Sequence, residues 1–284
     1  MRPSPLLRKT LLGLIALLGA GCAGRPARVP DEGARVGYTK QKDVIFTPPA
    51  WPRELKGDLY VPKTAGANPG ILLIYGGNWK STDNRYQMAG IARKLAARGY
   101  VVLNATYRGV PDAIYPAAFD DLREAIRWLR AHAAEHHIDP DRIATWGYSA
   151  GGHLAALVGT WPGESMPGVQ AIVAGGAPSD LRLFAGRGAA SDFMGGTRDE
   201  IPERFREASP VAHVTAQTPP TFLYHGSEDS LVPPEHPRAF KAALDRAGVR
   251  NELFWIQGRD HIKAFILDRG AEEAGIAFLD RVLR

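Results

Sequence analysis

Short runs of apolar residues alternate along this chain with longer segments whose apolar residues recur at helical spacing. The run GILLIY at Gly70–Tyr75 and the run Tyr100–Ala105 are typical of strands that are covered on both faces. The segment Phe119–His136 instead places its apolar side chains along one stripe of a helix. That stripe consists of Leu122, Ala125, Ile126, Leu129 and Ala133. The chain therefore switches between the period of a buried strand and the period of a helix.

These two patterns extend from about Val36 to the last residues and predict an α/β fold, with a mostly parallel central sheet flanked by helices. A leading hairpin is expected at Asp43–Thr47 and Glu54–Val61. The other predicted strands are Arg142–Trp146, Val169–Ala174, Thr221–His225 and Glu252–Ile256. The other predicted helices are Ser81–Arg98, Ser149–Val158, Glu235–Ala247 and Ala264–Leu283. The gap between Ala177 and Pro219 is too long for a plain connection and predicts a small cap-like insertion.

The first residues follow another pattern, with a basic start, a short apolar core and then small residues. Arg2, Arg8 and Lys9 precede the core Leu11–Leu18, which is too short to span a bilayer as a mature helix. This arrangement predicts a signal peptide over residues 1–21 and export of the mature chain.

Cys22 is the only cysteine, so no intramolecular disulfide can form. Its place directly after Ala20-Gly21 resembles the bacterial lipoprotein box, in which the chain is cut before a cysteine that is then lipidated. Gly19 departs from that pattern, which prefers leucine there, and an ordinary signal peptide with a chance cysteine is the alternative. We expect a lipidated Cys22 with a tether over residues 22–35, a membrane attachment facing the periplasm or cell exterior, and one α/β domain over 36–284.

The composition adds little beyond this organisation. The chain has 284 residues, a hydrophobic fraction of 45% and a formal charge of +5, which suit one large globular domain. Three of the positive charges belong to the predicted signal peptide, so the net charge of the mature chain is about +2 (5 − 3). This balance gives no reason to expect a nucleic-acid partner.

The pattern Gly147-x-Ser149-x-Gly151 stands between a predicted strand and a predicted helix, where hydrolases hold a serine nucleophile on a sharp turn. A plain glycine-rich turn is the alternative. A serine nucleophile needs a general base and a carboxylate that orients this base. Polar residues after the later strands supply both, in the chain order Ser149, Asp229, His261. Because the carboxyl ends of parallel strands meet at one edge, we expect the three side chains to converge.

Other residues compete for two of these roles. Of the eight histidines, only His236 and His261 follow Asp229. His236 begins a predicted helix, where a solvated or capping role is expected, so His261 is the preferred base. Glu228 and Asp180 are the alternative acids, and a solvated neighbour and a turn residue are their simpler interpretations.

An oxyanion hole needs backbone N–H groups directed at developing negative charge. Ala150 follows the candidate nucleophile at the start of a helix, and Gly77 and Asn78 follow the strand Gly70–Tyr75. Glycines in that loop allow the backbone to approach a substrate closely. We therefore predict that Gly77, Asn78 and Ala150 form the oxyanion hole, with a plain glycine turn as the alternative.

Four stretches together resemble the α/β-hydrolase serine esterases of the feruloyl/acetylxylan-esterase-like group, which are related to the hormone-sensitive-lipase-like enzymes. They are YGGNW, YRGVPDAIYPAAFDDLREAIRWL, GYSAGGH and HGSEDSLVP. The resemblance implies an α/β-hydrolase fold and hydrolysis of small-molecule esters, including acyl groups on carbohydrate, through an acyl-enzyme without metal or cofactor. A serine peptidase of the prolyl-oligopeptidase type shares this core. A catalytically silent binding protein on the same fold is the alternative outside the enzymes.

The chain departs from the family pattern at two places. Tyr75 stands where the family usually has histidine, which leaves open how the oxyanion loop is held. The stretch RDHIKAF replaces the usual Gly-x-Gly-His-x-Phe and leaves open how flexible the loop of His261 is.

Aromatic and methionine residues near the site have two interpretations. They can line an acyl pocket, or they can belong to the core, which is the more common role of such side chains. The residues in question are Trp79, Phe184, Phe193 and Met194.

The stretch His132-Ala-Ala-Glu135-His136 matches the inverted zinc-peptidase pattern His-x-x-Glu-His. It is predicted at the end of a helix, away from the strand ends. A polar helix end explains it fully, and we expect no metal there.

Overall fold

The computed structural model describes residues 35–161, 168–267 and 269–284. The predicted signal peptide, Cys22 and nearly all of the predicted tether lie outside the described residues. No helix within the described ranges has the length and apolar character needed to cross a membrane.

Within the described residues, eight strands form one sheet in the order β1-β2-β4-β3-β5-β6-β7-β8. The strands are β1 (Tyr38–Ile45), β2 (Lys56–Pro62), β3 (Asn68–Ile74), β4 (Val101–Ala105), β5 (Ile138–Tyr148), β6 (Ala171–Gly175), β7 (Thr221–Gly226) and β8 (Asn251–Ile256). β2 pairs antiparallel with both β1 and β4, and every other pair is parallel. The predicted α/β fold with a mostly parallel sheet is therefore confirmed.

The helices connect and cover these strands. They are α1 (Arg85–Ala97), α2 (Ala117–Ala131), α3 (Ala150–Thr160), α4 (Ala189–Met194), α5 (Pro202–Glu207), α6 (Glu235–Arg246), α7 (His261–Leu267) and α8 (Arg269–Leu283). β3, β4, β6 and β7 are buried throughout, as their continuous apolar runs predict, and β5 is buried from Ile143 onward. The insertion 177–219 contains α4, α5 and two short 3-10 helices.

Several element boundaries differ from the prediction; α1, for example, begins at Arg85 instead of Ser81, and β5 begins at Ile138 instead of Arg142. The closing helical segment begins at His261, earlier than the predicted Ala264, because Asp260 caps its first turn. The Asp260 carboxylate accepts a hydrogen bond from the backbone N–H of Lys263 at 2.9 Å. In addition, α2 ends at Ala131, and the following residues turn back to enter β5.

Asp121 on α2 joins three separate segments. Its fully buried carboxylate accepts hydrogen bonds from the Trp51 indole at 2.7 Å, the Arg108 backbone N–H at 2.8 Å and the Arg108 guanidinium at 2.7 Å. Beside Arg108, the hydroxyl of Tyr107 donates to the backbone oxygen of Tyr75 at 3.2 Å. Asp121 therefore holds the segment after β4 next to the loop that follows β3.

We predict that Asp121→Ala lowers the free energy of unfolding by about 3 kcal/mol or more, because it leaves the Arg108 guanidinium without its buried partner. Denaturant unfolding measures this loss. Glu124→Ala is the control on the same helix, since Glu124 forms only a partly exposed pair with Arg127 at 3.0 Å. It should cost less than about 1 kcal/mol. Equal losses in the two variants would contradict the role assigned to Asp121.

Candidate active site

Ser149 lies on a sharp turn between β5 and α3. Its backbone has φ 57° and ψ −125°, a conformation that side-chain-bearing residues rarely adopt and that costs on the order of 1–3 kcal/mol. The Ser149 N–H donates to the carbonyl of Gly175 at 2.8 Å, and its carbonyl accepts from the N–H of His153 at 2.9 Å. These bonds hold the turn and present the hydroxyl at the end of the strand.

The turn around Ser149 leaves no space for a side chain at its glycines. A Cβ on Gly147 would lie 2.1 Å from the carbonyl oxygen of Gly151. A Cβ on Gly151 would lie 2.3 Å from the carbonyl oxygen of Ile74 on β3. The turn is therefore compact enough to exclude any side chain at both positions, and the interpretation as a plain glycine turn does not account for this packing.

The structure brings the three predicted side chains into one hydrogen-bonded chain. His261 Nε2 lies 2.8 Å from Ser149 Oγ, and His261 Nδ1 lies 2.6 Å from Asp229 Oδ2. The other carboxylate oxygen, Asp229 Oδ1, accepts from the backbone N–H groups of Leu231 and Val232 at 3.0 and 2.8 Å. Since an ionised carboxylate is a pure acceptor, these contacts keep Asp229 oriented toward the imidazole.

The competing acids lie in other environments. Glu228 is exposed, whereas Asp229 is buried. Asp180 pairs with the guanidinium of Arg182 at 2.8 Å and accepts from the backbone N–H of the same residue. Asp180 therefore caps a turn, as its simpler interpretation stated.

The expectation that His236 is solvated or capping is wrong. His236 is 1% exposed and packs beside Phe184 of the insertion. Its Nδ1 accepts a long hydrogen bond of 3.4 Å from the backbone N–H of Asp180. Burial lowers its pKa to about 4, so this imidazole is neutral at physiological pH. Tertiary packing of the insertion covers His236, which its place at a helix start did not reveal.

The loop before His261 is held at several points, which answers the question raised by its departure from the family pattern. The hydroxyl of Tyr148 donates to the backbone oxygen of His261 at 2.6 Å. The backbone of Arg259 approaches Gly226 so closely that a Cβ there would lie 2.3 Å from the Arg259 oxygen. His261 is also the first residue of α7. The missing glycine is therefore compensated by contacts from β5 and β7.

The predicted oxyanion loop adopts an unusual backbone. Gly77, Asn78 and Trp79 have φ values of 126°, 56° and 54°, so three successive residues have positive φ. A Cβ on the preceding Gly76 would lie 3.0 Å from the Ser149 Cβ and 2.8 Å from the Tyr148 oxygen. The loop therefore passes directly beside the nucleophile. Asn78 lines the same cavity as Ser149 and Ala150, while Gly77 lies one residue earlier in the loop.

Tyr75 stands where the family usually has histidine, and it packs there through its aromatic ring. It is buried and stacks on Tyr107 with ring centroids 4.7 Å apart and an interplanar angle of 20°. Burial is the main cause that raises the pKa of each hydroxyl, so both side chains are neutral. The Tyr107 hydroxyl also donates to the Tyr75 carbonyl, so an aromatic pair supports the start of the oxyanion loop.

His153 is a supporting residue that the sequence analysis missed. Its Nε2–H donates to the carbonyl of Ala208 in the insertion at 2.7 Å, and its Nδ1 accepts from the Trp79 indole at 3.1 Å. Trp79 in turn stacks on Phe193 with centroids 4.9 Å apart. His153 thus links the oxyanion loop, the helix after Ser149 and the insertion. Its position four residues after Ser149, one helical turn further on, was the signal in the sequence that could have placed it near the site.

A cavity of about 210 Å³ opens at Ser149. The insertion forms much of its wall, as predicted for a cap. Of the four candidate pocket residues, Trp79 and Phe184 line this cavity. Phe193 and Met194 are fully buried and belong to the core.

The residues of the zinc-peptidase pattern are explained by packing. His132 and His136 lie in the turn after α2, and both stack on Trp128, with centroids 4.4 and 5.4 Å away. His132 Nδ1 also bonds to the Trp128 carbonyl at 2.9 Å. No group of three or more candidate metal ligands is found among the described residues.

We predict that the unfolding free energy falls as the pH is lowered from about 6.5 to about 4, partly because His153 is buried as the neutral form. Burial lowers the pKa of His153 to about 4, so the unfolded chain binds this proton first. His153→Asn should make that pH dependence shallower by up to about 1.4 kcal/mol per pH unit. Denaturant unfolding across this pH range measures the slope. An unchanged slope in the variant would contradict a neutral, buried His153.

Several known ester hydrolases are similar to this chain. Esterase LipC of Mycobacterium tuberculosis is 32% identical over 221 residues, which cover 70% of this chain and 54% of LipC. The chain spans about half the length of the curated relatives it matches. A truncated carbohydrate esterase from gut microbiota has a TM-score of 0.77 at 25% identity, covering 89% of this chain and 98% of that protein. A butyrate-bound structure of Thermogutta terrifontis Est2 has a TM-score of 0.69 at 28% identity, covering 88% and 92%.

The family assignment comes from the central part of the chain. The profile of the BD-FAE family matches residues 57–244, from β2 to α6. The matched range contains Ser149, Asp229 and the candidate oxyanion loop. Because the match covers well over half of the sequence, the chain belongs to the BD-FAE family.

Proposed function

We propose that this protein is a serine carboxylesterase that hydrolyses small esters through an acyl-enzyme. The observation that carries the proposal is the continuous chain from Ser149 Oγ through His261 to Asp229, with contacts of 2.8 and 2.6 Å. A hydroxyl becomes a useful nucleophile when an imidazole accepts its proton and a carboxylate holds the imidazole in the required tautomer.

In the acylation step, Ser149 Oγ attacks the ester carbonyl carbon while its proton passes to His261 Nε2. Asp229 stabilises the imidazolium that forms, because its carboxylate accepts from Nδ1. Backbone N–H groups of Gly77, Asn78 and Ala150 are the proposed donors to the oxyanion. The tetrahedral intermediate collapses, and His261 returns the proton to the leaving alcohol.

In the deacylation step, water replaces the alcohol. His261 accepts a proton from the water as its oxygen attacks the acyl carbon, and it then protonates Ser149 Oγ as the acid is released. His261 accepts the proton of Ser149 and then that of water and passes each one on, so the proposed cycle needs no metal or cofactor.

Two observations favour short acyl groups, including acyl groups on carbohydrate, as substrates. The cavity at Ser149 has a volume of about 210 Å³, below the range of pockets for drug-sized ligands of about 300–1,000 Å³. The structural relatives include a carbohydrate esterase and an esterase that binds butyrate. Initial rates on 4-nitrophenyl esters of increasing acyl length, and on acetylated or feruloylated sugars, test this substrate class.

We predict that Ser149→Ala and His261→Ala each lower kcat for 4-nitrophenyl acetate by about four to six orders of magnitude, because the three residues act as a unit. Asp229→Asn should lower kcat by a smaller factor. His236→Asn is the matched control, since His236 is also buried but bonds to the backbone of Asp180 instead of Ser149. A loss as large in His236→Asn as in His261→Ala would show that the base is assigned wrongly.

Experiments on the same wild-type and Ser149→Ala proteins distinguish between the alternative functions. A fluorophosphonate probe should label the wild-type protein at Ser149 and leave Ser149→Ala unlabelled. A folded wild-type protein that stays unlabelled would support a silent binding protein. Faster turnover of an aminoacyl-proline amide than of 4-nitrophenyl acetate would support a peptidase.

We also propose that the mature protein is exported and held at a membrane by lipidated Cys22, facing the periplasm or cell exterior. The support is the order of basic residues, apolar core and small residues before the single cysteine. Burial of acyl chains stabilises membrane attachment by about 0.8 kcal/mol per CH₂ group, and more than one chain is needed for a stable hold.

We predict that Cys22→Ser blocks lipid processing and leaves esterase activity unchanged, because Cys22 has no part in the proposed chemistry. Fatty-acid labelling and cell fractionation measure the first effect, and turnover of 4-nitrophenyl acetate measures the second. If the wild-type protein is unlabelled and its activity is found in the soluble periplasmic fraction, the protein is secreted without a lipid.

A further inference from the structure

We propose that Arg187 selects esters that also carry a carboxylate, an inference that rests on the proposed esterase function. Arg187 belongs to the insertion and lines the same cavity as Ser149. It is the only charged residue among the described residues that line this cavity, whose other members are apolar or neutral. A single cation in the wall of the cavity that contains Ser149 gives this wall one sign of charge, which attracts an anionic group on the substrate.

Arg187 differs from the other arginines of the insertion, which is described in full. The others all bond to protein groups: Arg182 to Asp180, Arg198 to Asp199, Arg204 to the carbonyls of Met194 and Tyr115, and Arg206 to Glu203. Arg187 makes no hydrogen bond or ion pair with any described residue. Its guanidinium is therefore available for a ligand.

Glu200, whose pKa is lowered in part by attraction from Arg187, already has hydrogen-bond partners. Hydrogen bonds from the backbone and hydroxyl of Thr197 are the largest causes that lower the pKa of Glu200, and attraction from Arg187 adds to them. One Glu200 oxygen accepts both Thr197 bonds, at 2.7 and 2.8 Å. Glu200 thus bonds within its own turn, and no salt bridge joins it to Arg187.

The backbone around Arg187 places it at the cavity wall. Gly186 has φ 68°, a conformation that favours glycine, and turns the chain just before Arg187. Gly188 is the N-cap residue of α4, and its N–H donates to the hydroxyl of the buried residue Ser191 at 2.7 Å. Ser191 lines the cavity as well. The backbone is therefore held on one side of Arg187, while the long side chain remains free to reach a ligand.

A planar guanidinium matches a carboxylate through two parallel hydrogen bonds, which makes arginine suited to this group. The carboxylate is equally charged in the bound substrate and in the transition state, so Arg187 contributes the same attraction to both. Such uniform binding changes KM and leaves kcat nearly constant. The expected signature of Arg187 is therefore a KM effect confined to anionic esters.

The test compares anionic and neutral esters of matched shape on the full mature chain. For a carboxylate in the acyl half, the pair is 4-nitrophenyl hydrogen succinate and 4-nitrophenyl levulinate. For a carboxylate in the alcohol half, the pair is 4-acetoxybenzoate and 4-acetoxybenzamide. Arg187→Gln should raise KM about tenfold for the anionic member of at least one pair, the size expected for one charged hydrogen bond. The neutral members should be unaffected.

Two control variants sharpen the result. Arg187→Lys keeps the charge and should retain part of the preference, since lysine lacks the planar fork. Arg206→Gln removes an arginine of the same insertion that pairs with Glu203, and it should change neither pair. Raising the salt concentration should reduce the wild-type preference for the anionic member, because salt screens exposed charges.

The outcomes separate this proposal from the proposed function. Turnover of any of the four esters by the wild-type protein supports the esterase, and the absence of turnover with all four overturns both proposals. If the neutral esters are turned over, equal changes in KM for anionic and neutral members in Arg187→Gln overturn the role of Arg187. No change with any substrate overturns it as well.

Discussion

The close approach of three backbone segments at Ser149 is the constraint on which the rest of the site depends. The turn at Ser149 has no room for a side chain at Gly147 or Gly151, and Gly76 of the oxyanion loop passes against the same turn. A left-handed backbone at Ser149 is intrinsically unfavourable and persists only where surrounding structure enforces it. Here the parallel strands β3, β5 and β6 enforce it through packing and through the bond to Gly175.

The supporting residues around this turn are mostly buried and neutral. His153, His225 and His236 all have pKa values lowered by burial, and none of them carries charge near the site at physiological pH. His225 Nε2 donates to the Val232 carbonyl at 2.8 Å and lies 3.3 Å from Asp229. The charge of Asp229 is thus surrounded by neutral donors, and the proton transfers are left to His261.

Much of this arrangement was predictable from local patterns. The apolar runs predicted the strands, and the order of polar residues after those strands predicted Ser149, Asp229 and His261, because parallel strands end at one edge. The boundaries were less accurate. Asp260 is a capping residue visible in the sequence, yet the closing helix was predicted to begin later, at Ala264 instead of His261.

The sequence by itself determined the fold class, the sharp turn at Ser149 and the order of the candidate triad, since each depends on residues that are neighbours in the chain or follow a strand. Only the tertiary structure decided that His236 is buried, that Trp79 bonds to His153, and that Arg187 reaches the cavity of Ser149. These contacts join residues far apart in the chain, and no local period or capping pattern encodes them. They depend on how the insertion folds back over the sheet, which follows from packing of the whole chain.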